Sequence, residues 1–81
     1  MDPKIHVTIK NQETTLFDGD VTALSSFNDV GLFDILPMHE NFISIVKDKI
    51  ILHNKEAQKE LKIDHGVLKV RNNKVNIYLN L

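Results

Sequence analysis

Along most of this chain apolar residues recur at every second position, the spacing of strands that turn one face to a core. In "KIHVTIK", Ile5, Val7 and Ile9 share one face, while His6 and Thr8 point the other way. "KVNIYLNL" repeats the arrangement with Val75, Ile77, Leu79 and Leu81 against Asn76, Tyr78 and Asn80. "LKIDHGVLKV" alternates through Leu61 and Ile63, then restarts after Gly66 with Leu68 and Val70. A glycine inside such a pattern predicts a bulge or a close backbone approach. β-branched residues dominate the apolar faces, as half-buried strands prefer.

Turn residues divide the pattern. Asp18-Gly19 in "LFDGDV" reads as a two-residue hairpin turn, because glycine tolerates the positive φ such turns need. Asn72-Asn73 in "VRNNKV" is a second candidate and Lys47-Asp48 a weaker third. The segment "HNKEAQKELK", 53 to 62, is rich in helix formers, but Ala57 and Leu61 make too thin a helical stripe. It reads as a mobile hairpin tip, with room for one helical turn and a strand re-entering near Lys59. Strands spaced about 8 to 10 residues apart predict an all-β fold, a small two-sheet β-sandwich of about 8–10 short strands. One such domain is expected to fill residues 1–81.

Composition narrows the functions this fold could serve. Ten basic and eleven acidic residues leave a net charge of −1, with no basic surplus to neutralise phosphates, so nucleic acid is not the expected partner. There are no cysteines, hence no disulfide and no thiolate metal site. No apolar run exceeds four residues, and the N-terminus alternates in polarity and lacks a signal core. A cytosolic chain that meets a membrane only through a partner is the expectation.

Candidate chemistry is sparse. His6, His39, His53 and His65 fall at none of the spacings of zinc sites. His39 and Glu40 are adjacent, and strand neighbours point to opposite faces. Asp18 and Asp20 flank a predicted turn, where water keeps both ionised; Asp34 stands three residues after Gly31. Ser25 and Ser26 lack a nucleophile-elbow motif and read as small polar strand residues. The three glycines, at 19, 31 and 66, form no phosphate-binding loop. No catalytic, cofactor-binding or metal-binding constellation is expected. An enzyme or ligand-binding sandwich built on His39 with Asp34 or Glu40 would require a deep pocket around them.

The stretch "GLFDILPMHENF", 31 to 42, carries a different signal. Leu32, Phe33, Ile35, Leu36, Met38, Phe42, Ile43 and Ile45 lie close together in sequence. Phe33 and Ile35 share one strand face, which sends Leu32 and Leu36 to the other; Ile43 and Ile45 likewise oppose Phe42 and Val46. Either a small, strongly curved sandwich buries both faces or part of the cluster is exposed, and exposed contiguous apolar surface marks a partner site. The residues alone support a small all-β domain with a protein-binding edge, including a free-standing interaction module of some other complex.

"LFDGDVTAL", "GLFDILPMHENF" and "IDHGVLKVRNNKVNIYL" together resemble the N-terminal β-sandwich domain of the epsilon subunit of F-type ATP synthases. The matching positions are Phe17 and Gly19; Gly31, Ile35, Leu36, Pro37 and His39; and Gly66, Leu68 and Val70. Asp34, Met38 and His65 stand where the family commonly has glycine, and "VKDKI" lacks a usual turn glycine. Leu32 stands where many members have a polar or acidic residue. The family's helical hairpin would begin beyond Leu81, so its regulatory and ATP-binding functions are not carried over.

The resemblance implies a non-catalytic, cofactor-free part of the rotor, or central stalk, linking the gamma subunit to polar loops of the membrane c-ring. Its expected place is peripheral, on the cytoplasmic face of a bacterial plasma membrane. By motif match, the turn holding Asn28, Asp29, Gly31, Leu32 and Asp34 would lie nearest the c-ring. The corner holding Met38, His39, Glu40, Phe42 and Ile43 would lie at or near the gamma contact.

Overall fold

The computed structural model describes residues 3–79; Asn80 and Leu81, which the alternation assigns to the last strand, lie outside the described residues. Seven strands form one hydrogen-bonded mixed sheet: β1 (Ile5–Lys10), β2 (Thr15–Val21), β3 (Ala23–Asn28), β4 (Gly31–Ile35), β5 (Phe42–His53), β6 (Gln58–Arg71) and β7 (Lys74–Leu79). Their order is β2-β1-β7-β6-β5-β3-β4. All pairs are antiparallel except β1 with β7. No helix occurs among the described residues, and segment 53–62 is the end of β5, a turn and the start of β6 at Gln58.

The all-β class stands, but the strands are fewer and longer than the sequence suggests. β5 runs for 12 residues and β6 for 14, each continuing through a bulge. Lys47 pairs with His65 and Asp48 with Ile63, which leaves Asp64 as the extra residue on β6. That one residue shifts the alternation from odd (Leu61, Ile63) to even (Leu68, Val70) positions, so one strand looks like two. Lys47-Asp48 is therefore no hairpin: Asp48, at φ 74°, bends β5 without ending it.

Asp18-Gly19 is not a turn either. Both residues lie inside β2, where Asp18 pairs with Thr8 and Gly19 with Val7. The tip of that hairpin is Asn11–Thr14, where the Asn11 side-chain oxygen accepts from the amides of Glu13 and Thr14, each at 2.9 Å. Gly19 instead makes room for the Phe17 ring, which a Cβ at that position would meet at 3.3 Å. Asn72-Asn73 does form the expected tight turn, with φ of 51° and 64°. Gly66 is a close approach: a Cβ there would lie 2.6 Å from the Tyr78 carbonyl oxygen.

The sheet curls on itself. The Lys59 ammonium on β6 lies 5.6 Å from the centre of the Phe17 ring on β2, although β1 and β7 separate those strands in the sheet. Ile5, Val7, Ile9 and Val21 thereby join Leu24, Ile35, Val46, Ile50 and Leu52 in one hydrophobic core. Each such side chain contributes about 1.5–3 kcal/mol on burial. Ser25 and Ser26 are the buried polar residues among those described, and both hydroxyls are hydrogen-bonded.

Candidate interaction surface

The chain from Asn28 to Ile45 builds a continuous outer surface. Asn28 accepts from the amides of Val30, at 2.9 Å, and Gly31, at 3.2 Å, which closes the β3–β4 turn and leaves Asp29 and Val30 exposed at its tip. Gly31, at φ 135°, carries the chain into β4. There Phe33 and Ile35 pack inward while Leu32 faces out. The amide of His39 then donates to the Leu36 carbonyl at 3.1 Å. In that four-residue turn Pro37 fixes the second position and Met38, at φ 67°, takes the third, the pattern of a type II turn. The corner is held from across the molecule: the Met38 amide donates to Asn73 Oδ1 at 2.9 Å, and Asn73 Nδ2 donates to the Lys4 carbonyl at 2.7 Å.

After the corner the His39 ring meets Phe42 edge-on with centroids 5.6 Å apart, and Phe42 meets Phe33 at the same separation. His39 Nδ1 donates to the Glu40 carbonyl at 2.8 Å. β5 then runs back toward the β3–β4 turn, where Asn28 Nδ2 donates to Ser44 Oγ at 3.3 Å. An open depression is lined there by Asn28, Asp29, Val30, Ser44 and Ile45. Three residues of strand, about 10 Å, thus connect the corner to the turn.

Large apolar side chains stand in water along this path: Leu32 is 62% exposed, Met38 82%, Ile43 68% and Ile45 62%. Leu32 opposes Phe27, and Ile45 opposes Val67, which opposes Tyr78, so the outer face carries two apolar rows, one on β4 and β3 and one on β5, β6 and β7. Lys47, the β5 partner of Phe27, separates the two rows and is paired with Asp29 at 3.2 Å. Of the residues proposed from sequence, Leu32, Met38 and Ile43 lie exposed on this surface, Asp29 and Glu40 are exposed beside it, and Asn28 and Gly31 form its turn. His39 and Phe42 are half-buried and support the corner.

Asp34 is exposed, but its carboxylate is engaged by the Ser25 hydroxyl. Ile45, Val67 and Tyr78 are surface members that sequence reasoning did not assign. Alternation places each on an outer face, but only the register of β5, β6 and β7 aligns them.

The polar groups do not converge on a reaction centre. Ser25 Oγ contacts both Asp34 and, at 2.9 Å, His53 Nε2. A serine hydroxyl has one proton, and the carboxylate takes it, so His53 is the donor to Ser25 Oγ. A nucleophilic serine needs the opposite, a histidine that accepts. The ring nitrogen of His39 is bonded to its neighbour's backbone, apart from Asp34. Among the described residues no group of three His, Cys, Asp or Glu side chains is arranged so that it could hold a metal ion. No helix among them is long and apolar enough to cross a membrane.

A comparison with curated protein sequences found no match. Among solved structures, this chain is similar to one in the cryo-EM structure of the Euglena gracilis mitochondrial ATP synthase, OSCP/F1/c-ring in rotational state 1. The TM-score is 0.86 at 18% identity, covering 94% of this chain and 50% of that one. It is also similar to a chain of the central stalk and c-ring of Tetrahymena thermophila mitochondrial ATP synthase, with TM-score 0.78 at 10% identity, covering 96% and 64%. The chain spans about half to two-thirds of the length of these neighbours, and at such identities the likeness speaks to the fold. The profile of the ATP synthase delta/epsilon chain β-sandwich domain matches residues 4–80. By that match over nearly its whole length, the chain belongs to the β-sandwich domain family of ATP synthase delta/epsilon chains.

Proposed function

We propose that this chain acts as a single, non-catalytic domain in the rotor of an F-type ATP synthase, linking the gamma subunit to the c-ring and helping ion flow drive ATP synthesis. Family membership and the two central-stalk or c-ring assemblies that hold its structural neighbours support this reading. The observation that carries it is the set of exposed apolar side chains Leu32, Met38, Ile43 and Ile45 along the path between the β3–β4 turn and the Met38 corner. A coupling part needs stiffness and adhesion: the curled, hydrogen-bonded sheet supplies one and these exposed side chains the other.

In this reading Asn28, Asp29, Gly31, Leu32 and Asp34 face the c-ring. Met38, His39, Glu40, Phe42 and Ile43 serve the gamma contact. Asp34 acts there through Ser25, by holding the β4 backbone. Met38 and Ile43 anchor, while the rim charge of Glu40 contributes little. Membrane association comes through the complex, peripherally. The cytoplasmic face of a bacterial plasma membrane belongs to the same proposal; the two solved neighbours are mitochondrial.

The test is binding of purified gamma subunit to the wild type and to Met38→Ala and Phe42→Ala, with folding of each variant checked by circular dichroism. Each substitution is expected to weaken binding by at least ~1 kcal/mol. Failure of the wild type to bind gamma overturns the proposal in favour of an interaction module in a different assembly.

A further inference from the structure

On the strand edge away from the interaction surface, one imidazole sits between two carboxylates. His6 on β1 places Nδ1 2.8 Å from Asp20 Oδ1 and Nε2 2.7 Å from Asp18 Oδ1. Asp18 Oδ1 also accepts from the Thr8 hydroxyl at 3.0 Å. Ionised carboxylates only accept, and a neutral imidazole has only one N–H. Both contacts are therefore hydrogen bonds only when the ring carries two protons. In the neutral ring the second nitrogen turns a lone pair toward a carboxylate, and one contact becomes repulsive.

The position of this cluster gives it leverage. β2 is an edge strand, paired to β1 alone, and Ile9/Lys10 marks a register shift where Leu16 is the extra residue. Side-chain bonds across the pair therefore matter more to β2 than to a strand held on both sides. We propose that His6 is a proton-operated catch for the β2 edge: protonated, it clamps Asp18 and Asp20 and holds the strand, and on losing a proton it releases one of them and loosens β2.

The other charged groups around the ring are modest. From β7, Lys74 is the in-register neighbour of His6, and Tyr78, which carries the Lys10 ammonium over its ring at 5.3 Å, lies further along. Lys4, just before β1, and Lys10, its last residue, flank the site. Lys55 and Glu56 line a depression together with Asp20 and Lys4. The bond to Asp20, then that to Asp18, holds the His6 proton above the ordinary value of 6.5. The bond from His6, then that from Thr8, holds Asp18 below its ordinary 3.8.

The signs follow from linkage. A raised histidine gives stabilisation that is complete below 6.5 and lost as pH rises through the His6 midpoint. A lowered aspartate gives stabilisation present above 3.8 and lost as pH falls through its own midpoint. The catch is closed between those limits.

The test follows His6 ring shifts and β2 amide hydrogen exchange together by NMR, from about pH 5 upward through the His6 midpoint. Exchange rates are corrected for their intrinsic pH dependence. In the wild type, protection at residues 17–20 is expected to fall about twofold to fivefold as His6 deprotonates, the scale of exposed ion pairs. Protection in β6 should stay level. His6→Gln should abolish the step, and Asp20→Asn should lower the His6 midpoint. Constant β2 protection through the titration overturns the proposal. So does a step that persists in His6→Gln, or a midpoint unmoved by Asp20→Asn. Gamma binding is not part of the readout, so the result stands apart from the rotor reading.

Discussion

Met38 occupies a backbone conformation that suits glycine, and replacing it with glycine should stabilise the domain. Its φ of 67° lies in the left-handed region, which costs an L-residue roughly 1–2 kcal/mol. Glycine relieves that strain but brings about 0.4–1 kcal/mol of extra unfolded-state entropy. The side chain contributes almost nothing in return, since it is 82% exposed. The amide bond to Asn73 Oδ1 survives the change, because it is made by the backbone. The net gain for Met38→Gly is about 0.5–1 kcal/mol, or about 2–8 °C in Tm for a domain of this size. Met38→Ala removes the same exposed side chain while keeping the strain, so its Tm should sit near that of the wild type. Thermal unfolding of the three proteins by circular dichroism separates the effects. If Met38→Gly melts at or below Met38→Ala, the strain argument is wrong. Under the proposed rotor role, the more stable glycine variant would bind gamma less tightly, so stability and affinity would move in opposite directions.

Other outcomes follow from the same geometry. Gly66→Ala should destabilise by about 1–3 kcal/mol, because the new Cβ meets the Tyr78 backbone carbonyl at 2.6 Å and the β6–β7 ladder must shift; urea unfolding measures it. Asn73→Gly keeps the positive φ while deleting both side-chain bonds, and should cost about 1–2 kcal/mol with faster exchange of the Met38 amide. Asp48→Gly should stabilise by a few tenths to about 1 kcal/mol, since Asp48 also lies at positive φ, 74°; an unchanged denaturation midpoint would count against relief of strain at the bulge.

The half-buried alternation was plain in the sequence because strand faces repeat every two residues, and Ile5, Val7, Ile9, Val75, Ile77 and Leu79 are all buried. Asn72-Asn73 was equally plain, since both residues favour the left-handed region that the turn uses. Asp18-Gly19 misled for a physical reason: Gly19 accommodates a ring, not a turn, and a bare sequence does not distinguish the two demands. Lys47-Asp48 misled because a bulge and a hairpin both use a residue at positive φ. The strand count suffered with it, since the extra Asp64 reverses the alternation within β6 as a strand break would. At the surface, Leu32 and Ile43 were legible as apolar residues on the wrong face. The alignment of Leu32 with Phe27, and of Ile45 with Val67 and Tyr78, depends on strand pairings that no local pattern shows, as does the meeting of His6 with Asp18 and Asp20.

The parallel pairing of β1 with β7 has a consequence for how the chain is made. The strand that joins the β1–β2 hairpin to the rest of the sheet, Lys74–Leu79, is synthesised after the other six. Until it emerges, β1 and β2 are a lone hairpin, which is marginal in water. Assembly of the native sheet therefore waits until β7 has emerged, and the first hairpin stays unanchored while its neighbour is still being polymerised.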